Sequence, residues 1–129
     1  MLNSLEAAQL CAGAADNKKA FDILVLDLRK LTTICDYFVI CSGSNYTQVG
    51  AITEGIGQDL AKAGVHPSHV EGAMGATWVL MDYGDVVVHI FEEQTRIYYS
   101  LEKLWGEAPR IVLAAGSGSL PGSLSCASK

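Results

Sequence analysis

The dipeptide Gly43-Ser44 is the first place where this sequence could do chemistry, because it lies between an apolar segment and a long amphipathic pattern. A Gly-Ser turn between a strand and a helix can hold a phosphate if two carboxylates at positions i and i+2 of a later strand chelate Mg²⁺. No such pair follows Ser44, and the apolar segment 86–91 carries only His89. We therefore predict no enzymatic activity. The alternative is a nucleotidyltransferase-like enzyme or nucleotide-binding module that uses Gly43-Ser44.

The histidines offer no clear metal site or catalytic base. His66 and His69 are three residues apart, but Pro67 places them in a loop, and only Glu71 stands near enough to complete a ligand set. His89 lies inside an apolar segment, where a histidine is usually structural and bonded to a neighbour. No serine or cysteine stands in a GxSxG turn. The sequence predicts no catalytic residue, no metal ligand and no cofactor.

The segment 93–106 reads as a helix that is richer in aromatic residues than a short closing helix needs. At roughly 100° per residue, three aliphatic side chains share one stripe that is expected to face the core. These are Ile97, Leu101 and Leu104. Tyr98 and Trp105 lie at the edge of that stripe with Glu102 beside them, whereas Tyr99 and Lys103 point away. Tyrosine and tryptophan at the edge of a buried face indicate either the margin of a core or a protein interface.

The charge distribution favours the interface. Residues 82–107 contain six acids and two bases, so they carry −4 of the chain's formal net charge of −5. Aromatic side chains in an acidic surround suit a basic protein partner. The whole chain has 14 acids against 9 bases, which argues against a surface that binds nucleic acid.

Composition and length indicate one globular domain. The chain has 129 residues, half of them hydrophobic and under a fifth charged. No apolar run approaches the roughly 18 residues of a membrane span. The first residues lack the basic and apolar parts of a secretory signal, and the four cysteines form no CxxC pair. We therefore expect a cytoplasmic protein. Residues 1–113 are expected to form the domain, and the Gly/Ser-rich residues 114–129 a flexible tail.

The predicted elements form a single α/β domain, in which helices pack on a mixed sheet of four or five strands. Asn3 and Glu6 indicate a capping box for a helix over 4–15, and Asn45 and Gln48 a similar start for a helix that ends at Gly64. Segments 21–28 and 37–41 are predicted buried strands joined by a hairpin or a bulged connection, and 77–91 is a tight antiparallel hairpin. Three glycines inside the second helix suggest close packing against a neighbour. They are Gly50, Gly55 and Gly57.

Five stretches together resemble the Iojap family, also called the ribosomal silencing factor (RsfS) family. They are "DYFVICSGS", "QVGAI", "VEG", "WVLMDYGDVVVHIF" and "YYSLEKLWG", in the family's order and spacing over 21–106. The long fourth stretch is the most specific of them. The resemblance implies a nucleotidyltransferase-like fold that lacks the catalytic carboxylates, which agrees with the missing acidic pair.

The resemblance also implies a function without chemistry. Members bind the large ribosomal subunit through the basic ribosomal protein uL-fourteen, with little direct nucleic-acid contact. From there they sterically block joining of the small subunit and repress translation when nutrients are limited. A homodimer off the ribosome is also expected of such proteins. Carried over residue by residue, the partner-binding surface comprises Trp78, Asp82, Tyr83, Asp85, His89, Tyr98, Glu102 and Trp105.

Overall fold

Five strands form one mixed sheet in a computed structural model that describes residues 2–72, 75–106 and 108–111. Along the chain the elements are α1 (Ser4–Asn17), β1 (Phe21–Asp27), β2 (Tyr37–Gly43), α2 (Tyr46–Lys62), β3 (His69–Glu71), β4 (Trp78–Asp82), β5 (Val86–Glu92), α3 (Glu93–Tyr99) and α4 (Leu101–Leu104). This is the predicted α/β domain, with five strands.

The strands lie in the order β1-β2-β5-β4-β3. Strands β2 and β5 are parallel at the centre, with Val39 opposite Val88, and the other neighbours are antiparallel. Both predicted hairpins, β1–β2 and β4–β5, are confirmed. In β5 every residue except the last is buried. Its two faces are therefore both covered, which explains why apolar residues stand at odd and even positions alike.

Helices α1 and α2 both cover the same face of the sheet. The capping box of α1 is present: the Asn3 side chain accepts from the Glu6 N–H at 2.8 Å, and the Glu6 carboxylate accepts from the Asn3 N–H at 3.0 Å. The buried side of α1 is mostly alanine, so α1 lies close to α2. In α2 a stripe of four aliphatic side chains is fully buried: Val49, Ile52, Ile56 and Leu60. Gly64, with φ of +80°, follows the end of this helix.

The opposite face of the sheet has only a thin cover. A second apolar cluster lies there, with buried residues from β1, β2 and β5. Its outer members are only partly buried, and they include Phe38, Trp78, Leu101 and Trp105. Among the described residues, the helices on this side are α3 and α4, of seven and four residues.

The prediction of one continuous helix over 93–106 was wrong. Ser100 adopts a left-handed conformation (φ 47°, ψ 47°) that ends α3 and starts α4 in a new direction. Ile97 in α3 is 64% exposed and Leu104 in α4 is 76% exposed, so neither belongs to the core. Of the predicted stripe only Leu101 packs against the second cluster.

One further difference concerns a single segment. The short edge strand β3 was not predicted; it pairs with β4 and contains His69, whose ring nitrogen lies 2.8 Å from the Glu71 carboxylate. The predicted flexible tail, with Cys126, lies outside the described residues and remains a prediction. In the part of the chain that is described, no helix combines the length and the apolar character that a bilayer crossing needs.

Two glycines, Gly50 in α2 and Gly72 directly after β3, give a test of the fold. A methyl group at Gly50 would meet no atom within 4 Å, so close packing does not explain this glycine. Gly50→Ala should therefore stabilise the protein by about 1 kcal/mol, because alanine favours the helix. At Gly72 φ is +106°, and a methyl group would lie 2.8 Å from the Trp78 carbonyl oxygen. Gly72→Ala should destabilise by about 2 kcal/mol. Urea denaturation measures both, and shifts of the same sign would contradict this packing.

Candidate partner-binding site

An aromatic surface covers the side of the sheet that α1 and α2 leave free. We call it the aromatic face, and it consists of Phe38, Trp78, His89, Phe91, Tyr98, Tyr99 and Trp105. Side chains alternate between the two faces of a strand. The register pairs Trp78 with Phe91 and Leu80 with His89, so these alternate positions of β4 and β5 lie on the same side. Helix α3 then brings its tyrosines to the edge of that side.

Trp78 is the centre of the aromatic face. Its ring stacks on Phe91 with the centroids 4.9 Å apart, and it contacts Tyr99 at 4.8 Å. Its indole Nε1–H donates a hydrogen bond of 3.2 Å to Nδ1 of His89. The side chain is only partly buried. Trp78 is therefore held in one orientation and still presents part of its surface to solvent.

His89 supports Trp78 from below and does not reach the surface. It is 4% exposed, and burial lowers its pKa to about 4, so the ring is neutral at neutral pH. Because Nδ1 accepts from Trp78, the proton of the neutral ring belongs on Nε2, which has no partner among the described residues. Phe38 contacts the ring edge-on at 4.6 Å. His89 is thus a buried residue bonded to a neighbouring side chain, as its place in an apolar segment predicted.

The exposed part of the aromatic face lies on α3 and α4. Tyr98 is 81% exposed and makes an edge contact of 5.0 Å with Tyr99. Trp105 is partly buried and meets Phe38 edge-on at 5.8 Å. The exposed Ile97 belongs to the same helix as Tyr98. Exposed apolar groups that cluster in this way mark surfaces that other molecules cover.

The acidic residues of the predicted surface surround the β4–β5 turn and α4. Asp82 ends β4, and its carboxylate accepts from the Gly84 N–H at 2.8 Å, which closes the turn. Asp85 is exposed in that turn. Glu102 is drawn inward, since its carboxylate accepts from Arg96 Nε at 3.3 Å.

Tyr83, which belongs to the predicted partner-binding surface, does not lie on the aromatic face. It follows β4 and turns to the opposite side of the sheet, where it packs against the α1–α2 core. Its hydroxyl is buried without a hydrogen-bond partner among the described residues, and burial raises its pKa to about 12. Successive side chains along a strand point to opposite faces of the sheet. Tyr83 comes one residue after Asp82, so it lies on the face opposite to the aromatic face.

Arg96 is the residue of this region that the sequence did not reveal. It is 7% exposed, and its Nη1 donates to the Ser42 hydroxyl at 2.9 Å and to the Asp22 carbonyl. With its bond to Glu102, it ties α3 and α4 to the ends of β1 and β2. Arginine is mostly exposed in proteins, so no pattern in the sequence marks this one as buried.

The Gly43-Ser44 turn uses its polar groups internally. The Ser44 hydroxyl and N–H both donate to the Gln48 side chain at 2.6 Å. Glu92 pairs with Gly43 in the sheet register, and its carboxylate accepts from the N–H groups of Gln94 and Thr95 at the start of α3. The Glu92 carboxylate therefore serves as a helix cap.

Comparisons with known proteins agree on one family. A family model described as "Ribosomal silencing factor during starvation" matches residues 2–124. The chain is 44% identical over 108 residues to the ribosomal silencing factor RsfS of Bacillus subtilis, covering 84% of this chain and 92% of that protein. It is 36% identical to the chloroplastic protein Iojap of Zea mays, covering 84% of this chain and 47% of that protein. A crystal structure of a Chromobacterium violaceum protein superposes with a TM-score of 0.79 at 36% identity, covering 81% and 88% of the two chains.

Because the polar groups of Ser44 in the Gly43-Ser44 turn bond to Gln48, we predict that the protein does not turn over nucleotides. Glu92 is engaged as a helix cap, and among the residues that the structure describes no cluster of three or more potential ligands could hold a metal ion. Incubation with labelled ATP, CTP, GTP and UTP and Mg²⁺ should give no product above a blank without protein. Turnover that disappears in Ser44→Ala would contradict this reading.

Burial of His89 predicts a pH dependence of stability. Its pKa in the folded state, about 4, lies below the ordinary histidine value of 6.5, so the unfolded chain binds more protons between these two values. The free energy of unfolding should fall as the pH drops from 6.5 to 4, by about 3 kcal/mol from this group. His89→Gln, which keeps an acceptor for Trp78, should lose that part of the slope.

The matched control is His66→Gln, which removes an exposed histidine. Urea denaturation at a series of pH values measures the slopes. If wild type and His89→Gln lose stability in parallel over this pH range, protonation of His89 is not the cause of the loss.

Proposed function

The chain belongs to the family of ribosomal silencing factors, and we propose that it acts by covering one surface of the large ribosomal subunit through its aromatic face. The proposed contact is the basic ribosomal protein uL-fourteen. A protein bound there blocks the approach of the small subunit and represses translation when nutrients are limited. The observation that carries the proposal is the group of exposed aromatic and aliphatic side chains on α3 and α4 beside the supported Trp78.

The geometry of the aromatic face supports a protein partner. Binding energy at protein interfaces is concentrated in a few aromatic anchors that are fixed before the partner arrives. Trp78 is fixed by His89 and Phe91. Tyr98 projects into solvent from α3 beside Tyr99, which contacts Trp78. A partner can bury both rings without rearranging the sheet.

The charge around the aromatic face supports a basic partner. Asp85 and Glu93 are exposed, and Asp82 is partly exposed at the end of β4. Such rim carboxylates raise the association rate with a positively charged surface more than they raise the final affinity. The same negative charge repels phosphate groups, so little direct contact with ribosomal RNA is expected.

The residues of the predicted surface divide into three roles under this proposal. Trp78, Tyr98 and Trp105 are the anchors. Asp82 and Asp85 attract the partner from the rim. Beneath them, two residues orient the anchors: His89 bonds to Trp78, and Glu102 holds α4 through Arg96. Tyr83 lies on the opposite side of the sheet from these residues and packs against the α1–α2 core.

No chemical step belongs to this mechanism. Occupancy of one surface suffices for a steric block, so we propose a non-enzymatic protein that needs no cofactor or metal. It acts in the cytoplasm, where the subunits join. Off the ribosome, the same exposed tyrosine and aliphatic side chains can pair with a second copy of the chain, and such a homodimer competes with ribosome binding.

Replacing Tyr98 tests the proposal without disturbing the core. Because this side chain is 81% exposed, Tyr98→Ala should leave the circular dichroism spectrum and the melting temperature unchanged. Loss of an aromatic anchor commonly costs about 2 kcal/mol or more, so the affinity for purified large subunits should fall about thirty-fold or further. Co-sedimentation at graded protein concentrations measures it.

The chain supplies its own control in Tyr46, an exposed tyrosine on α2, on the covered side of the sheet. Tyr46→Ala should bind the large subunit as wild type does. Equal affinity of all three proteins would place the contact elsewhere, and equal loss in both variants would show that exposed tyrosines act non-specifically.

A further inference from the structure

A cavity of about 1140 Å³ lies between the start of β1, the end of β2 and the turn from α3 to α4. It opens at the carboxyl ends of β2 and β5, which are the parallel pair of the described sheet. Small-molecule sites reach about 1,000 Å³ and, in open α/β sheets, lie outside the carboxyl ends of the strands. The Gly43-Ser44 turn does not line this cavity, and Trp78, Tyr98 and Trp105, the anchors of the proposed ribosome contact, do not line it either. The cavity shares with that contact only supporting and rim residues: Glu93, Arg96, Ile97 and Glu102.

The walls and the floor of the cavity differ in character. Phe21, Leu24 and Ile97 provide apolar walls, whereas the buried Ser42 and Arg96 form a polar floor. Ligand sites commonly combine an apolar lining with a few polar groups that converge on one point. The lining therefore suits a molecule with an apolar body and one charged end.

Arg96 is positioned to hold that charged end. Its Nη1 is engaged by Ser42 and by the Asp22 carbonyl, which fixes the plane of the guanidinium. Its contact with Glu102 is 3.3 Å, longer than the roughly 2.7–2.9 Å of a strong charge-assisted hydrogen bond. Nη2 donates to no group among the described residues. A guanidinium fixed in this way can still donate from its Nη2 amino group to a carboxylate or phosphate oxygen.

The charges around the cavity are balanced. Three further bases line it, Lys19, Lys103 and Arg110, so that with Arg96 there are four. Four acids line it as well: Asp16, Asp22, Glu93 and Glu102. The chain as a whole has 14 acids and 9 bases. The cavity thus lacks the excess negative charge that would keep an anion away.

We propose that this cavity binds a small organic anion, with Arg96 and Ser42 holding its charged oxygens and Phe21, Leu24 and Ile97 contacting its apolar body. The charged end is a phosphate monoester or a carboxylate, which present the same oxygens to a guanidinium. This proposal is independent of ribosome binding, and its test uses no ribosome.

The test is a titration of ¹⁵N-labelled protein, followed by amide chemical shifts, with four probes. Phenyl phosphate and benzoate carry an aromatic body with each kind of charged end, inorganic phosphate lacks the body, and benzyl alcohol lacks the charge. At least one of the first two should shift amides of 20–24, 42–43 and 96–103 saturably, with Kd of about 1 mM for so small a probe. Inorganic phosphate and benzyl alcohol should bind about tenfold more weakly or worse.

Variants then test the anchor. Arg96→Met combined with Glu102→Gln removes both charges, so that neither is left buried and unpaired; it should abolish saturable binding. If this double variant does not fold, Lys103→Gln on the rim should still weaken binding about twofold to fivefold. Arg29→Gln is the matched control, because Arg29 is an exposed arginine paired with Asp27 at the far end of β1 and should leave binding unchanged.

Three results would overturn the proposal. The first is no saturable shift with phenyl phosphate or benzoate. The second is benzyl alcohol binding as tightly as the charged probes, which would show an apolar cleft only. The third is binding that persists in the folded double variant, or in Lys103→Gln at the wild-type affinity where the double variant does not fold.

Discussion

Both long helices of this domain lie on the same face of the sheet, and the other features follow from that constraint. Strands β2 and β5 are apolar on both faces, so the face without α1 and α2 must also be removed from water. Two short helices and a set of large rings do this incompletely. A sheet face that is apolar, rigid and only partly covered is well suited to binding another macromolecule.

Polar groups inside the aromatic face give it a single arrangement. Trp78 could pack on Phe91 in more than one rotation, but its hydrogen bond to His89 selects one. Arg96 has the same role for α3, because three of its contacts reach Asp22, Ser42 and Glu102 in separate elements. A surface fixed in advance loses less conformational entropy when it binds. Burying these groups is tolerated because most of their donors and acceptors are paired.

Local signals in the sequence predicted the elements that depend on local physics. The capping box at Asn3, the cap at Asn45 and the two hairpins follow from short-range hydrogen bonding and from alternation, and all are present. The break at Ser100 could not be predicted, since serine has no special preference for a left-handed conformation and helical periodicity continues through it. Burial of Arg96 depends on Ser42 and Asp22, which are 54 and 74 residues away in the sequence.

The predicted partner-binding surface also combines features that the sequence could predict with features that it could not. Trp78, Tyr98 and Trp105 were identified by residue type and family resemblance, and they do lie on or beside the uncovered face. Tyr83 was included for the same reason, yet one step along an alternating strand places it on the opposite side. Tyr99 was expected to point away, but at the end of α3 it packs on Trp78. Which side chains share a face was thus the part that needed the structure.

Subunit joining in a purified system tests the central claim most directly. Large subunits are incubated with the protein, small subunits are added under conditions that favour association, and the mixture is sedimented through a sucrose gradient. The account predicts that the joined-ribosome peak falls as the protein is increased, with the protein sedimenting with free large subunits, and that Tyr98→Ala has little effect at the same concentrations. An undiminished joined peak while the protein remains bound to large subunits would contradict the account.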